Sequence, residues 1–166
     1  MKEININGYK EFIIERSDYP IDHCKNILKN EVTAILGYGP QGRGQSLNMR
    51  DQGFDVIIGL RKGRSWEKAL SDGWEEDVTL FSIEQATEKA TIIQFLLSDA
   101  GQIQAWPEVK SRLNKGDALY FSHGFGIVFH EDTQIIPPND VDVLLVAPKG
   151  SGLTVRNHFK EGRGIN

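Results

Sequence analysis

Apolar residues in this chain fall in short, nearly unbroken runs separated by longer polar stretches. Val32 to Leu36, Asp55 to Leu60, Thr91 to Leu97 ("TIIQFLL"), Ala118 to Phe121 and Val141 to Ala147 ("VDVLLVA") are runs of this kind. Strands covered on both faces have this composition. Between them, Gln41 to Gln52 places Leu47 and Met49 among polar residues, Trp66 to Leu70 is a short helical stretch, and Ser82-Ile83-Glu84-Gln85 has the spacing of a capping box. The rhythm predicts the α/β class: a doubly wound, mostly parallel sheet with helices on both faces. Such sheets take ligands beyond the carboxyl ends of their strands. Two halves of the fold are expected to meet near Phe81 to Lys89. A polar lead containing "YKEFIIERSDYP" and a short helical pattern at Ile21 to Leu28 come first. Residues 1–30 are therefore read as a lead segment packing on a domain of residues 31–166.

Composition narrows the classes. At 166 residues the chain can remove roughly two thirds of its unfolded surface from water, enough for one core. With 19 basic and 23 acidic residues the formal charge is −4, so the whole chain has no basic footprint for nucleic acid or an anionic membrane. Any positive site must be local. Cys24 is the single cysteine, which excludes an internal disulfide framework and fits a reducing compartment. The start, "MKEININGYK", lacks the apolar core of a signal peptide, and no apolar run approaches the length of a membrane span. The expectation is a soluble cytoplasmic protein, or an organellar one if a targeting segment has been removed.

Gly37, Gly39 and Gly42 form G-x-G-x-x-G directly after one strand and before a helix. In that context the first glycine permits a tight turn, the second lets a pyrophosphate reach the backbone, and the third lets helix and strand pack closely. The helix start adds unpaired N–H groups and partial positive charge. The reading is a Rossmann-like dinucleotide domain. About twenty residues on, where an acid would meet a ribose 2′-hydroxyl, the second strand instead ends in Gly59-Leu60-Arg61-Lys62-Gly63-Arg64-Ser65. Arginine and serine suit an added 2′-phosphate, which an acid would repel. The predicted ligand is NADP(H).

Three later strand ends add candidates. "LLSDAGQ" places Ser98, Asp99 and Gln102 where the chain turns past a dinucleotide. Asp99 is read first as the N-cap of the next helix, and both roles can coexist. "YFSHGFG" leaves His123 just beyond a strand, where a histidine can exchange protons near neutral pH beside a nicotinamide. "APKGSG" puts Lys149 and Gly152 at the last strand edge, with Lys149 read as ordinary surface. His23, His130 and His158 lie outside strand ends and receive no role. Glu84 and Glu88, at i and i+4, read as a solvated helix face.

Taken together, "GYGPQGRGQSLNMRDQGFDVIIGLRKG", "LLSDAGQIQAWPEVK", "LYFSHGFGIVF", "PPNDVDVLLVAPKGSG" and "VRNHFKEGRGIN" resemble, in order, the N-terminal domain of the ketol-acid reductoisomerase (acetohydroxyacid isomeroreductase) family. "RSDYP" resembles its fungal-like branch. The resemblance implies Mg2+-assisted alkyl migration of 2-acetolactate or 2-aceto-2-hydroxybutyrate, then NADPH reduction to a 2,3-dihydroxy acid, in branched-chain amino acid biosynthesis. It implies that Tyr38, Gly39, Pro40 and Gln41 line the pyrophosphate, Arg61, Arg64 and Ser65 hold the 2′-phosphate, Asp99, Ala100, Gly101 and Gln102 border the cofactor, Gly152 touches it, and His123 is the active-site histidine. Three departures stand out. Pro40 replaces a usual Ser or Val, a change that suits a helix start, and Gly126 replaces a frequent Asn or Ser, which is expected to loosen the loop beside His123. The sequence ends at "EGRGIN", where the family continues into a helical, knotted domain carrying the Mg2+ carboxylates, most of the substrate pocket and the main oligomer interface. The expectation is a chain that binds NADP(H) without isomerising acetolactate alone. Another NADP-dependent keto acid reductase, or a non-catalytic NADP(H)-sensing or interaction module, is the competing reading.

Overall fold

The computed structural model describes residues 2–165. The chain divides into two compact units, one ending at Asn30 and one beginning at Glu31. The first is a hairpin of β1 (Lys2–Ile6) and β2 (Tyr9–Ile13), a 3-10 turn at Arg16–Asp18 and helix α1 (Ile21–Ile27). The hairpin was not expected from the polar lead, because most of its side chains are exposed and leave no apolar run to read. Its signal is the Asn7-Gly8 pair, with φ of 52° and 90°, which suits a tight antiparallel turn.

In the second unit β3 (Thr33–Leu36), α2 (Pro40–Asp51), β4 (Val56–Gly59), α3 (Arg64–Ser71), β5 (Leu80–Phe81), α4 (Ile83–Lys89), β6 (Ile92–Phe95), α5 (Asp99–Lys110), β7 (Ala118–Phe121), α6 (Phe125–Val128), α7 (His130–Thr133), β8 (Asp142–Leu145) and α8 (Gly152–Lys160) follow in order. The strands form one six-stranded parallel sheet, ordered β5-β4-β3-β6-β7-β8. The chain winds outward from β3 in one direction and then returns to start β6 on its other side. This places a topological switch point between β3 and β6. The crossover from the first half to the second is α4, within the stretch where the halves were expected to meet.

Alternate strand residues feed two cores. Ala34 and Leu36 of β3 join Ile93, Phe95, Ala105 and Trp106 on one face. Ile35 joins Ile58, Leu47, Trp66, Ala69 and Trp74 on the other. Helices α4 and α5 thus cover one face and α2 and α3 the other, and β3 is buried throughout. Gly59 lets α4 come close to β4, since a Cβ there would lie 2.5 Å from Leu36 Cδ2 and 2.8 Å from the Ala86 Cβ.

Helix termini follow local chemistry. Ser82 and Gln85 form a reciprocal capping box at α4. Pro40 opens α2, where its missing N–H costs nothing. Ser98, not Asp99, caps α5: its Oγ accepts from the Gly101 N–H at 3.3 Å, and Asp99 is the first helical residue. A further correction concerns "VDVLLVA". Its strand β8 is the sheet edge, and all of its residues are exposed, because β7 pairs with one side only and no helix of the described residues covers its faces. Strand β7 also departs from the expected pattern, alternating partly buried and buried positions. Gly126 does not loosen its surroundings either. It is buried in α6, and a Cβ there would approach Ile135 Cδ1 at 2.9 Å and Gln102 Oε1 at 3.1 Å.

Where α2 meets β3, a Cβ on Gly42 would sit 2.1 Å from the Gly37 carbonyl oxygen. Backbone, not a yielding side chain, is the obstacle. Gly42→Ala should therefore destabilise the fold by roughly 1–3 kcal/mol, as overpacking does, read as a lower urea midpoint with an unchanged m-value.

Candidate functional site

The three turn glycines have different physical reasons to be glycine. Gly37 has φ of 105°, and a Cβ there would lie 2.7 Å from the Leu96 carbonyl oxygen, so both conformation and packing demand its absence. Gly42 is excluded from bearing a side chain by Gly37 itself. Gly39 is unlike both: its φ of −71° and ψ of −172° suit any residue, and a Cβ there would meet nothing within 4 Å. It is exposed at the rim of the switch point. Nothing among the described residues requires glycine at 39, whereas a ligand lying against the backbone would.

Two clefts flank this residue. One, of about 320 Å³, is lined by Gly37, Gly39, Leu60, Arg61, Ser65 and Ser98 among others. The other, of about 420 Å³, runs from Gly39 and Gln41 past Leu97 and Gln102 to His123 and Ser151. They share Gly39, Leu96, Leu97 and Ser98, so they form two arms of one groove across the carboxyl ends of β3 and β6.

Arg61 and Ser65 line the first arm and are exposed, whereas Arg64, also exposed and beside Ser65 in the first turn of α3, is not among its lining residues. Neighbouring Lys62 is turned away, paired with Glu76 and lying 3.7 Å from the centre of the Trp66 ring. At the second arm, His123 Nε2 lies 3.5 Å from Asp99 Oδ1, and both side chains are about half exposed (51% and 48%). Gln41 Nε2 donates to the Gly150 carbonyl at 2.8 Å, tying the turn to the loop after β8. Gly152, the first residue of α8, is buried against the turn: a Cβ there would lie 1.7 Å from the Pro40 carbonyl oxygen. Gln102 is buried as well, with Nε2 donating to the carbonyls of Phe95 and Leu97 at 3.1 Å each, while its Oε1 has no partner among the described residues. Ala100 and Gly101 continue the first turn of α5, with Ala100 exposed. Lys149 is exposed beyond β8.

The acetohydroxy acid isomeroreductase NADPH-binding domain matches residues 27–166 of this chain. The chain belongs to this family. It is 55% identical, over its whole length, to a Desulfosudis oleivorans protein named ketol-acid reductoisomerase (NAD(+)), of which it covers 47%. It is 54% identical over its whole length to a Schizosaccharomyces pombe protein named probable ketol-acid reductoisomerase, mitochondrial, of which it covers 41%. The chain thus spans less than half the length of the curated relatives it matches. Among solved structures it is similar to an NADH-preferring ketol-acid reductoisomerase from an uncultured archean, with a TM-score of 0.76 and 39% identity over 84% of this chain and 42% of that one. A Mycobacterium tuberculosis 3-hydroxyisobutyrate dehydrogenase, 16% identical with a TM-score of 0.61 over 77% of this chain and 44% of that one, shares the fold alone. A nicotinamide dinucleotide is therefore the ligand class of this domain in the ketol-acid reductoisomerase family. No helix among the described residues is long and apolar enough to cross a membrane.

One cluster escaped the sequence reading. Tyr38, expected to line the pyrophosphate, is among the residues lining the first arm, and its buried side chain has a further role: its hydroxyl donates to Asp72 Oδ2 at 3.0 Å and accepts from Trp74 Nε1 at 2.7 Å. Arg43 clamps the same carboxylate with Nε at 2.6 Å and Nη2 at 2.9 Å. No motif joins residues 38, 43, 72 and 74, so only the fold reveals the cluster. The Arg43 guanidinium, helped by the Tyr38 hydroxyl, outweighs burial and lowers the Asp72 pKa to about 2, whereas burial pushes the Tyr38 phenol up. Because the folded value is depressed, the stabilisation by Asp72 is complete above the ordinary aspartate value of about 4 and is lost as pH falls toward about 2. Asp72→Asn should lower stability at pH 7 and narrow its gap to the parent between pH 4 and pH 2, as followed by urea melts across that range.

Proposed function

We propose that this chain is the cofactor half of a ketol-acid reductoisomerase and binds NADPH along the groove that crosses Gly39. The carrying observation is that open backbone face. A glycine whose own conformation and packing do not require it stands where a pyrophosphate would press against the start of α2. In this reading the backbone of residues 37 to 41 binds the pyrophosphate, and Arg61, Arg64 and Ser65 take the 2′-phosphate in the first arm. Lys62 stays out of that contact because Glu76 and Trp66 already hold it. The Desulfosudis and archaeal relatives are named for NAD(+) and NADH, so family membership leaves the cofactor open, and Arg61 and Ser65 in the loop after β4 support NADPH here.

The second arm is the place of chemistry. When bound there, the nicotinamide supplies a hydride to the 2-keto carbon of the rearranged acetohydroxy acid. His123, lining the cleft beside Asp99, would be the group to exchange a proton with the oxygen that becomes a hydroxyl. Leu96 and Leu97 wall the groove with apolar surface that limits water. Mg2+ does not fit the residues present: no group of three or more His, Cys, Asp or Glu among the described residues could hold a metal ion. The isomerisation, the substrate pocket and the oligomer interface accordingly belong, on this reading, to parts of the relatives that these residues do not cover. The compartment follows the host, cytoplasmic or organellar, the latter as in the fungal relatives named mitochondrial.

Calorimetric titration with NADPH and NADH at the same salt tests the assignment. NADPH should bind at least about tenfold more tightly, near 1.4 kcal/mol, and Arg61→Ala should remove most of that margin. Gly39→Ala should leave stability within about 1 kcal/mol of the parent yet weaken both dinucleotides at least about tenfold. Undiminished binding to Gly39→Ala would show that no ligand lies on that backbone.

A further inference from the structure

Asp72 lines neither arm of the groove, yet it joins the two structures that form it. Its backbone ends α3, with its N–H donating to the Lys68 carbonyl at 3.1 Å, and the opposite end of that helix carries Arg64 and Ser65. Its carboxylate faces Tyr38, inside the glycine turn, and Arg43, in α2. Lys68 Nζ adds a weaker contact at 3.6 Å. Its own carbonyl accepts from Arg50 Nη2 of α2 at 2.9 Å, and the Arg50 guanidinium lies 4.5 Å from the centre of the Trp74 ring. Bonds from the turn and from both ends of α2 therefore converge on the residue that terminates α3.

Resting on the NADPH reading above, we propose that Asp72 is a specificity-determining positioning residue: it fixes the distance between the pyrophosphate-binding turn and the 2′-phosphate-reading end of α3. The helix has 8 residues, about two turns, and moves as a rigid rod, so a shift at its C-terminal end is carried to Arg64 and Ser65. The turn has independent anchors. The Gly37 N–H donates to the Gly59 carbonyl at 3.2 Å, Gln41 holds Gly150, and Gly152 packs on Pro40. Helix α3 keeps its own core anchors, Trp66 and Ala69, so releasing the Asp72 carboxylate lets it pivot about them and shift its ends while the turn stays in place. A ligand that engages only one of the two parts is unaffected, while one that must span both loses the benefit of their fixed separation, as a bivalent ligand does when its sites no longer match its length.

The test compares three probes on the 166-residue chain and on Asp72→Asn: NADPH, which spans both parts; NADH, which uses the turn without a 2′-phosphate; and adenosine 2′-monophosphate, which uses the α3 end without a pyrophosphate. In the variant the NADPH Kd should rise about tenfold while the other two stay within about twofold, so that the preference for NADPH falls by about the same factor. Equal weakening of NADPH and NADH would overturn the proposal, because Asp72 would then support only the turn. So would equal weakening of NADPH and the monophosphate, which would make its effect local to α3, or a lower melting temperature with unchanged affinities, which would leave it a structural residue. If the parent chain itself shows no preference for NADPH, the cofactor assignment falls and the clamp with it. Should Asp72→Asn not fold, Tyr38→Phe removes one bond of the same cluster and should reproduce the pattern at about threefold.

Discussion

The approach of the chain at Gly37 to the end of β6 is the constraint on which the site depends. A backbone with φ of 105°, lying so close that a Cβ would fall 2.7 Å from the Leu96 carbonyl, turns sharply out of β3 at the point where the sheet changes its direction of winding. Because the strand and the helix share that corner, α2 must start directly over the carboxyl end of β3, and Gly42 must be bare to allow it. The groove exists because the next crossover departs on the other side of the sheet, leaving β3 and β6 with open ends and no connection above them. Its two arms diverge from Gly39, the residue that the chain's own packing leaves free.

Charge is arranged by a second constraint, the occupation of cations by partners within the protein. Arg43 and Lys68 are drawn to Asp72, Lys62 to Glu76, and Arg156 to Asp51 at 2.7 Å. Arg61 stands exposed at the first arm, and Arg64 is exposed at the start of α3 beside it. A chain with formal charge −4 can thus present a local positive site for an anionic ligand, because specificity depends on which cations are left unpaired and where. The Asp72 cluster then serves two ends. It satisfies buried polar groups of the turn, as a fully paired network must, and it joins the turn to the helix that bears the free arginine.

By itself the sequence determined the parallel α/β class, the glycine turn between β3 and α2, the capping box of α4 and the basic end of β4. Each rests on residues adjacent in the chain, where periodicity, φ preference and capping chemistry act locally. It also carried His123 and Asp99 as separate candidates without their pairing. Only tertiary structure decided that these two lie 3.5 Å apart, that Ser98 rather than Asp99 caps α5, and that Tyr38 turns inward to Asp72 and Trp74. The same holds for "VDVLLVA", whose apolar run predicts a doubly covered strand but which, past the buried Val141, is left exposed by its place at the sheet edge. The physical reason is common to all of these. An apolar run records that a segment favours a strand and a polar residue records what it can bond, but which neighbour covers the one or meets the other is fixed by strand order and helix placement, across separations in sequence that no local pattern spans.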